Sequence, residues 1–410
     1  MSDPYFQTMF ADRIGGERYG KTTDLYQFEK IKRAKRAAIA DFPDRPLLDF
    51  GIGENDEMAH VSVREVLRAE VGRPENRGYA DNGIAAYQGA AAAYLQREFG
   101  VAVDPATEVN HCIGSKSALA MLPAAFINPG DITLMTVPGY PVAGTHTRYY
   151  GGRVWNLPLV EENTFRPDLD AIPDDVRAKA KLLVLNYPNS PTGALADEPF
   201  YAKVVEFARR NRVVVIQDAA HIVLTFGRKP LSFLSIDGAK EVGVEIHSMS
   251  KGFDMIGWRL GFVAGHPLIV RAFADVKDNS DSGQFIAIQK AAAAALADPA
   301  LPAAVRARYE RRLGKLVATL GELGFRAEMP GGTYFLYVRS PRSVEGGPAF
   351  ATAEDASQFL IRERSICTVP WDDAGPYLRF SVTYQAPTEA DEDALMAELK
   401  RRSSKDRFVW

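Results

Sequence analysis

Lys251 is the residue of this sequence whose type and position most clearly indicate chemistry. It follows a predicted strand in which apolar Val244 and Ile246 alternate with polar residues, and a second apolar run begins at Leu260. A lysine at the end of a core strand is costly to bury unless it is paired, uncharged or used covalently. A desolvated lysine loses its proton more easily and forms a Schiff base with a carbonyl cofactor. The position therefore indicates a Schiff-base lysine for pyridoxal 5′-phosphate (PLP).

The neighbours of Lys251 suit the phosphate group of that cofactor. Ser248 and Ser250 supply hydroxyls, and Arg259 supplies a guanidinium eight residues after the lysine. Hydroxyl and guanidinium groups are strong partners for phosphate. The alternative is a solvated loop with ordinary basic residues. A Ser-x-Ser-Lys pattern alone does not decide between the two, because short motifs recur by chance.

Four segments, in a fixed order along the chain, resemble the motifs of a known superfamily. They are NYPNSPTG at 186–193, VIQDAAH at 215–221, SMSKGFDMIGWRLGF at 248–262 and YLRFS at 377–381. Together they resemble the fold-type I, or aspartate aminotransferase, superfamily of enzymes that use PLP. The resemblance covers nearly the whole chain, from residue 24 to the final predicted helix.

The resemblance implies an α/β fold with two domains. A large PLP-binding domain over residues 61–299 carries a mostly parallel seven-stranded sheet covered by helices, and residues 24–60 with 300–410 form a smaller α+β domain. Residues 1–23 carry glycines among charges, which is typical of an arm. Helical periodicity over 24–40, and strands that alternate with helices from residue 109 onward, agree with this organisation.

Composition excludes several classes of protein. The chain has 410 residues, 46% of them hydrophobic and 25% charged, which is globular composition and enough length for two domains. A net charge of −3 gives no electrostatic case for nucleic acid or an anionic membrane. Cys112 and Cys367 are too few for a disulfide framework or a multi-cysteine metal site. Because the sequence shows neither a signal peptide nor a membrane span, we expect a cytoplasmic protein with buried thiols.

Three residues are expected around the pyridine ring of the cofactor. Asp218 ends an apolar run, where a carboxylate needs a partner. A protonated pyridine nitrogen is a fitting partner, because its charge helps the ring accept electrons. The resemblance implies that Asn189 donates to the phenolic oxygen and that Tyr140 stacks on the ring. Tyr140 also follows a strand at the carboxyl edge of the sheet, where open α/β folds bind ligands. Aromatic residues at strand ends are otherwise often core residues.

Three more residues are expected at the phosphate. Ser115 and Lys116 open a predicted helix after Gly114, and a glycine turn into a helix N-terminus suits a phosphate. A simple N-cap is the alternative role for Ser115. The segment RGYADNG at 77–83 resembles one whose tyrosine crosses a dimer interface. The resemblance therefore implies a homodimer with shared active sites, in which Tyr79 reaches the phosphate in the partner subunit. A surface turn tyrosine is the alternative.

The substrate is expected near three further residues. Arg379, on a late predicted strand, matches the arginine that binds the substrate α-carboxylate with two parallel hydrogen bonds. Lone strand arginines are otherwise usually structural. The resemblance also implies that Gly53 lies where the chain passes close to that carboxylate. Ser282 belongs to a region that reaches the neighbouring subunit's substrate pocket in dimeric relatives.

Two positions depart from the superfamily pattern. His221 stands where the superfamily usually has a tyrosine that donates to the phenolic oxygen. An imidazole donates the same bond if it is protonated or in the right tautomer. Ile256 stands where a small hydroxyl residue is expected. Both departures leave open whether the substrate carbanion is used for transamination. The alternative is elimination or replacement at Cβ or Cγ, or C–C bond formation such as annulation of S-adenosylmethionine.

Within the superfamily, the sequence most resembles the LL-diaminopimelate aminotransferases, through segments such as PENRGYADNGI and DNSDSGQFIAIQKA. That resemblance implies transfer of an amino group between LL-diaminopimelate and a 2-oxo acid in a ping-pong reaction, with Lys251 as general base and acid. A regulator with a PLP fold but no catalysis is a third possibility. The intact set of Lys251, Asp218 and Arg379 argues against it.

Overall fold

The computed structural model describes residues 4–21 and 27–410. Its helices are α1 Pro4–Gln7, α2 Gln27–Asp41, α3 Val61–Val71, α4 Ala85–Phe99, α5 Ser115–Phe126, α6 Val142–Tyr149, α7 Asp174–Arg177, α8 Glu198–Asn211, α9 Ala239–Val242, α10 Met249–Gly252, α11 Pro267–Asp278, α12 Ile286–Ala297, α13 Ala300–Glu322, α14 Ala353–Arg364 and α15 Glu389–Ser403. The predicted start of the first long helix, at residue 24, lies outside the described residues.

The strands are β1 Leu48–Asp49, β2 Val109–Cys112, β3 Ile132–Val137, β4 Arg153–Pro158, β5 Ala180–Asn186, β6 Val214–Asp218, β7 Gly243–Ser248, β8 Gly261–Gly265, β9 Phe335–Arg339, β10 Ser343–Val344, β11 Ile366–Cys367, β12 Val369–Trp371, β13 Tyr377–Ser381 and β14 Phe408–Val409. Seven of them form one sheet in the order β2-β8-β7-β6-β5-β3-β4. In this sheet β8 runs antiparallel to β2 and β7, and the other neighbouring strands pair in parallel. The expected mostly parallel seven-stranded α/β fold is confirmed.

The central strands of this sheet are apolar because helices cover both of its faces. β5 reads AKLLVLN, and six of its seven residues are buried. Such a continuous apolar run is typical of a parallel strand with no solvent face. Alternate side chains of the central strands belong to two separate buried clusters, one of which contains Leu183 and the other Val184. The sheet is therefore a rigid platform whose carboxyl edge is left to the loops.

A second, antiparallel sheet of three strands has the order β12-β13-β9. Arg379 lies at the centre of β13, paired with Val369 on one side and Tyr337 on the other. β1 pairs with β11, which brings the segment after Leu48 close to the C-terminal part of the chain. The division into domains at residues 60 and 300 stays a prediction.

The described part of the N-terminal arm, residues 4–21, contains α1 and two short 3-10 turns. The Gln7 amide donates to the carbonyl oxygens of Glu17 and Tyr19, at 2.8 and 2.9 Å, and so closes the arm on itself. Cys112 and Cys367 are both buried and unpaired, as expected. Among the described residues, no helix combines the length and apolar character that crossing a bilayer needs.

A buried arginine joins α13 to the C-terminal part of the chain. Arg312 is 1% exposed, and all five of its N–H groups donate to acceptors. Two of these acceptors are the carboxylates of Glu392 and Asp56, each at 2.9 Å. The other three are the carbonyl oxygens of residues 382, 384 and 386. The desolvated guanidinium is thus fully compensated by charge and hydrogen bonds.

We expect Arg312→Met to lower the free energy of unfolding by about 3–5 kcal/mol, because it leaves the buried carboxylate of Asp56 without its cation and removes one of three cations from Glu392. Lys203→Met is the matched control, since Lys203 forms an ion pair with Asp170 at 2.6 Å on the exposed surface. That change should cost about 1 kcal/mol or less. Denaturant unfolding of both variants measures the difference, and equal small losses would contradict the compensating role of the buried network.

Candidate functional site

The residues expected to hold the cofactor follow the ends of parallel strands. Gly114 follows β2, Tyr140 follows β3, Asn189 follows β5, Asp218 ends β6 and Lys251 follows β7. Because parallel strands present their carboxyl ends at one edge of a sheet, these positions meet there. The structure therefore assembles a candidate site at the edge where open α/β folds bind ligands.

Lys251 lies in α10, a single helical turn with Ser248 as its N-cap. The Ser248 hydroxyl accepts a hydrogen bond from the backbone N–H of Ser250 at 3.1 Å. Burial, together with the positive charge of Arg259, lowers the pKa of the Lys251 amine to about 8. Nζ donates to the carbonyl oxygen of Gly53 at 3.1 Å. The lysine is therefore an amine that gives up its proton close to neutral pH.

Asp218 is a buried carboxylate with little compensation from the protein. It is 5% exposed, and its carboxylate accepts a hydrogen bond from the backbone N–H of Ala220 at 3.1 Å. Burial raises the pKa of this carboxyl, that hydrogen bond and the electrostatic influence of His247 and Lys251 oppose the shift, and the net value is about 6. A carboxylate in this position is stabilised by a cationic partner, and the protonated nitrogen of a pyridine ring meets that need.

The turn after β2 packs directly against Arg259. Gly114 has a φ of +74°, and a Cβ at this position would lie 2.5 Å from Nη2 of Arg259, so glycine is required there. Arg259 also donates to the Ser250 hydroxyl at 3.4 Å. Gly114 caps α5 without a side-chain hydrogen bond, and Ser115 is the first helical residue. The alternative role of Ser115 as an N-cap is therefore wrong. A helix N-terminus beside a guanidinium and a hydroxyl suits a phosphate.

Three buried nitrogen atoms at the site have no hydrogen-bond partner among the described residues. They are Nδ2 of Asn189, Nδ1 of His221 and Nε of Arg379. The carbonyl oxygen of the Asn189 amide already accepts from the Thr192 hydroxyl at 2.7 Å, which leaves the NH₂ group for another acceptor. An unsatisfied buried donor costs about 1–3 kcal/mol. These residues therefore fit polar ligands that supply acceptors. The phenolic oxygen of PLP is one such acceptor, and the carboxylate of a substrate is another.

His221 is an uncharged imidazole in this setting. Burial, together with the charges of Lys251 and Arg379, lowers its pKa to about 3. Its ring contacts that of Tyr334 edge to face, with 5.3 Å between the centroids. Of the two ways in which a histidine could replace the expected tyrosine, the structure supports the neutral tautomer, which keeps one N–H donor.

Arg379 is a buried guanidinium without an ion-pair partner among the described residues. It donates to the carbonyl oxygen of Gly51 at 3.0 Å, and its Cζ lies 4.1 Å from the centre of the Phe335 ring. Burial lowers its pKa to about 10. A desolvated arginine with a free N–H edge is suited to a planar carboxylate.

Four predicted residues remain at the surface of the single chain. Tyr79 is 85% exposed, Tyr140 is 43% exposed, and Ser282 is also exposed. A β-bridge between Ala80 and Gly283 holds the segments of Tyr79 and Ser282 side by side. Lys116 is exposed as well, one residue into α5. Their expected roles at the cofactor and in a partner subunit stay predictions.

The sequence model of the family described as aminotransferase class I and II matches residues 45–397 of this chain. This chain is a member of the class I and II aminotransferases. It is 55% identical over 414 aligned residues to the LL-diaminopimelate aminotransferase of Methanococcus maripaludis, with 100% of both chains covered. It is 56% identical over 409 residues to the LL-diaminopimelate aminotransferase of Methanocaldococcus jannaschii, with 98% of both chains covered. The protein is accordingly a transferase that uses PLP, and the expected cofactor is confirmed.

Solved structures agree with this membership. Substrate-bound BacF from Bacillus subtilis is 31% identical, with a TM-score of 0.85 over 95% of this chain and 97% of that one. A probable N-succinyldiaminopimelate aminotransferase from Thermus thermophilus is 26% identical, with a TM-score of 0.82 over 93% of this chain and 100% of that one. The fold of this aminotransferase is therefore shared with enzymes of known structure over nearly its whole length.

Two residues of the aminotransferase site were not predicted from the sequence. Tyr334 is fully buried, and its hydroxyl donates to the carbonyl oxygen of Gly53 at 2.7 Å. Asn55 donates to the carbonyl oxygen of Lys251 at 2.9 Å. The signal for Tyr334 was an aromatic residue directly after the Gly-Gly-Thr turn at 331–333. Asn55 follows Gly53 by two residues in a loop, and no local pattern marked it.

We expect Lys251 to react with an amine-acylating reagent with a midpoint near pH 8 in the cofactor-free enzyme, because only the deprotonated amine is nucleophilic. An ordinary exposed lysine titrates at about 10.4, so below that pH Lys251 should be acylated faster than the exposed lysines. Peptide mass spectrometry over a pH series measures this, with exposed Lys203 as the control. A midpoint for Lys251 no lower than that of Lys203 would contradict the desolvated site.

Proposed function

We propose that this aminotransferase moves an amino group between LL-diaminopimelate and a 2-oxo acid. The observation that carries the proposal is that a buried amine of low pKa and a buried guanidinium, Lys251 and Arg379, both donate to one short segment, at Gly53 and Gly51. The substrate class follows from the full-length identity of 55% and 56% to two LL-diaminopimelate aminotransferases.

Each proposed role follows from the geometry of the side chain. Arg379 binds the α-carboxylate of the amino acid. Its Nε has no hydrogen-bond partner among the described residues, so the guanidinium can bind a carboxylate while Nη2 keeps its hydrogen bond to the carbonyl oxygen of Gly51. Asp218 stabilises the positive charge on the pyridine nitrogen of the cofactor. Asn189 and His221 would donate to its phenolic oxygen. The turn at Gly114, the Ser250 hydroxyl and the Arg259 guanidinium would together bind its phosphate.

When bound, the cofactor supplies a carbonyl carbon for the covalent bond to nitrogen and a conjugated ring that accepts the electron pair of the broken Cα–H bond. Lys251 is the group that moves the proton. Its amine, uncharged above about pH 8, would take the proton from Cα of the substrate and deliver it to C4′, the former carbonyl carbon of the cofactor, and would move a proton in the opposite direction in the second half-reaction. The carbonyl oxygen of Gly53 orients Nζ while the lysine is free.

The alternatives of elimination, replacement and C–C bond formation receive no support from the relatives. Both full-length matches carry the name of an aminotransferase. The departure at His221 is compatible with transamination, because a neutral imidazole still donates one hydrogen bond. Ile256 lies in a 3-10 turn, and its carbonyl oxygen accepts from Arg259 at 2.8 Å, so its contribution to the site is made by the backbone.

We expect one turnover of the PLP-loaded enzyme with LL-diaminopimelate to convert the cofactor to its amine form and release the matching 2-oxo acid. The absorbance change and mass spectrometry of the products measure this reaction. The DD isomer is the control, because a site with a fixed arginine and a fixed lysine presents only one face of Cα to the base. Turnover of another amino acid but not of LL-diaminopimelate would contradict the proposed substrate.

A homodimer with shared active sites is part of the proposal. Tyr79 is 85% exposed in one chain, and the bridge between Ala80 and Gly283 holds its segment beside that of Ser282. A tyrosine held out from the surface by a defined contact is suited to reach a second copy. Exposed Met58, Val61 and Phe285 supply apolar area for such a contact. The cytoplasmic location stays a prediction.

Mixing two inactive variants tests the shared site. In a hybrid of Lys251→Ala and Tyr79→Ala subunits, one site has both residues intact if Tyr79 serves the partner. Random reassociation of equal amounts should therefore restore about one quarter of the wild-type activity. If Tyr79 serves its own subunit, no intact site forms and activity stays at the level of the parent variants. A monomer with full activity would also contradict the shared site.

A further inference from the structure

The NH₂ group of the Asn55 side chain is fully committed to the turn that carries Lys251. Its Nδ2 donates to the carbonyl oxygen of Lys251 at 2.9 Å and to Oδ1 of Asp254 at 2.5 Å. Asn55 is 9% exposed and Asp254 is 8% exposed, so both bonds are shielded from water. Both hydrogens of one amide are therefore used to join the loop after β1 to the turn after β7.

The same loop contacts Lys251 at its other end. Two residues before Asn55, the carbonyl oxygen of Gly53 accepts from Nζ at 3.1 Å. The hydroxyl of Tyr334 donates to that same oxygen at 2.7 Å and fixes its position. A three-residue stretch thus holds the lysine at its main-chain carbonyl and at its reactive nitrogen.

Helix α13 fixes the carboxylate that Asn55 contacts. Arg308 donates to Oδ1 of Asp254 at 2.7 Å, the oxygen that also accepts from Asn55. Asp254 has a φ of +52°, which lies in the left-handed region that residues with a Cβ disfavour. Such a conformation persists when surrounding contacts over-determine it. The Asn55–Asp254–Arg308 contacts supply that constraint three residues after the lysine.

We propose that Asn55 is a positioning residue of the aminotransferase reaction, which fixes the main chain of Lys251 so that Nζ returns to one place in every turnover. This inference rests on the role proposed above for Lys251. Proton transfer demands a donor and acceptor within hydrogen-bond reach, and a displacement of about 1 Å costs on the order of 100-fold in rate. Loss of the bond to the Lys251 carbonyl frees the turn without touching substrate or cofactor directly.

Asn55→Ala should lower kcat about 10-fold to 100-fold and change KM for the amino acid by less than about threefold. A loosened lysine is better hydrated, so the midpoint of its acylation in the cofactor-free protein should rise above about pH 8. The charged groups that face the amine are Arg259, Glu54, Arg379 and Asp218, and all of them remain in the variant. Asn211→Ala is the control, because that amide also donates to a main-chain carbonyl, of Phe207 at 2.8 Å, away from the site.

The double variant Asn55→Asp with Asp254→Asn isolates the bond to the lysine. It keeps the net charge of the cluster and one side-chain hydrogen bond between positions 55 and 254, now donated in the opposite direction, and it leaves an amide oxygen at position 254 as the acceptor for Arg308. An aspartate at 55 has no N–H to give to the Lys251 carbonyl. The swapped protein should therefore fold even if Asn55→Ala does not, and should keep the low kcat and the raised midpoint.

Restoration of wild-type kcat and midpoint by the swap would overturn the proposal, as would an Asn55→Ala protein that loses only thermal stability. Borohydride reduction of the PLP-loaded wild type separates this proposal from the assignment of the lysine. Cofactor trapped on a peptide other than that of Lys251 would overturn both. Cofactor trapped on Lys251, with an Asn55→Ala protein unchanged in kcat and midpoint, would overturn the positioning role alone.

Discussion

Burial of ionisable groups is the constraint on which this active site depends. Asp218, His221 and Arg379 are buried and Lys251 is partly buried, and desolvation is the largest influence on the pKa of each. For the lysine and the histidine, burial favours the uncharged form, which is the form that acts as a base or as a neutral donor. The unpaired nitrogens at the site are tolerated because the sheet and its covering helices hold the groups in place.

The loop at 51–56 turns these separate groups into one site. Its carbonyl oxygens accept from Arg379, from Lys251 and from Tyr334, and Asp56 pairs with Arg312 at 2.9 Å. Main-chain carbonyls are fixed acceptors that do not titrate, so they hold cations without neutralising them. A loop with two glycines passes close to the cations, and a Cβ at Gly53 would already lie 3.1 Å from the Phe335 ring.

Sequence reasoning predicted the parts of the site that sit at the ends of strands. Asp218 and Lys251 were identified because a charged residue after an apolar strand needs a partner, and the sheet does bring them together. The neutral state of His221 could not be read from the sequence, since it depends on burial by residues such as Tyr334, 113 positions later. Asn55 was missed for a similar reason, because its partners are Lys251 and Asp254, which are distant in sequence. Local patterns do not carry contacts of that range.

The separation of the partners along the chain has a consequence for synthesis. Gly53 meets Lys251 across 198 positions, and Gly51 meets Arg379 across 328. When β8, the last strand of the large sheet in chain order, has left the ribosome, β13 and α15 have not yet been translated. The loop at 51–56 then lacks the contact of Gly51 with Arg379 on β13. It also lacks the link from Asp56 through Arg312 to Glu392 on α15. The geometry that holds the reactive amine is therefore completed near the end of translation, so a nascent chain with an intact Lys251 is not yet a competent enzyme.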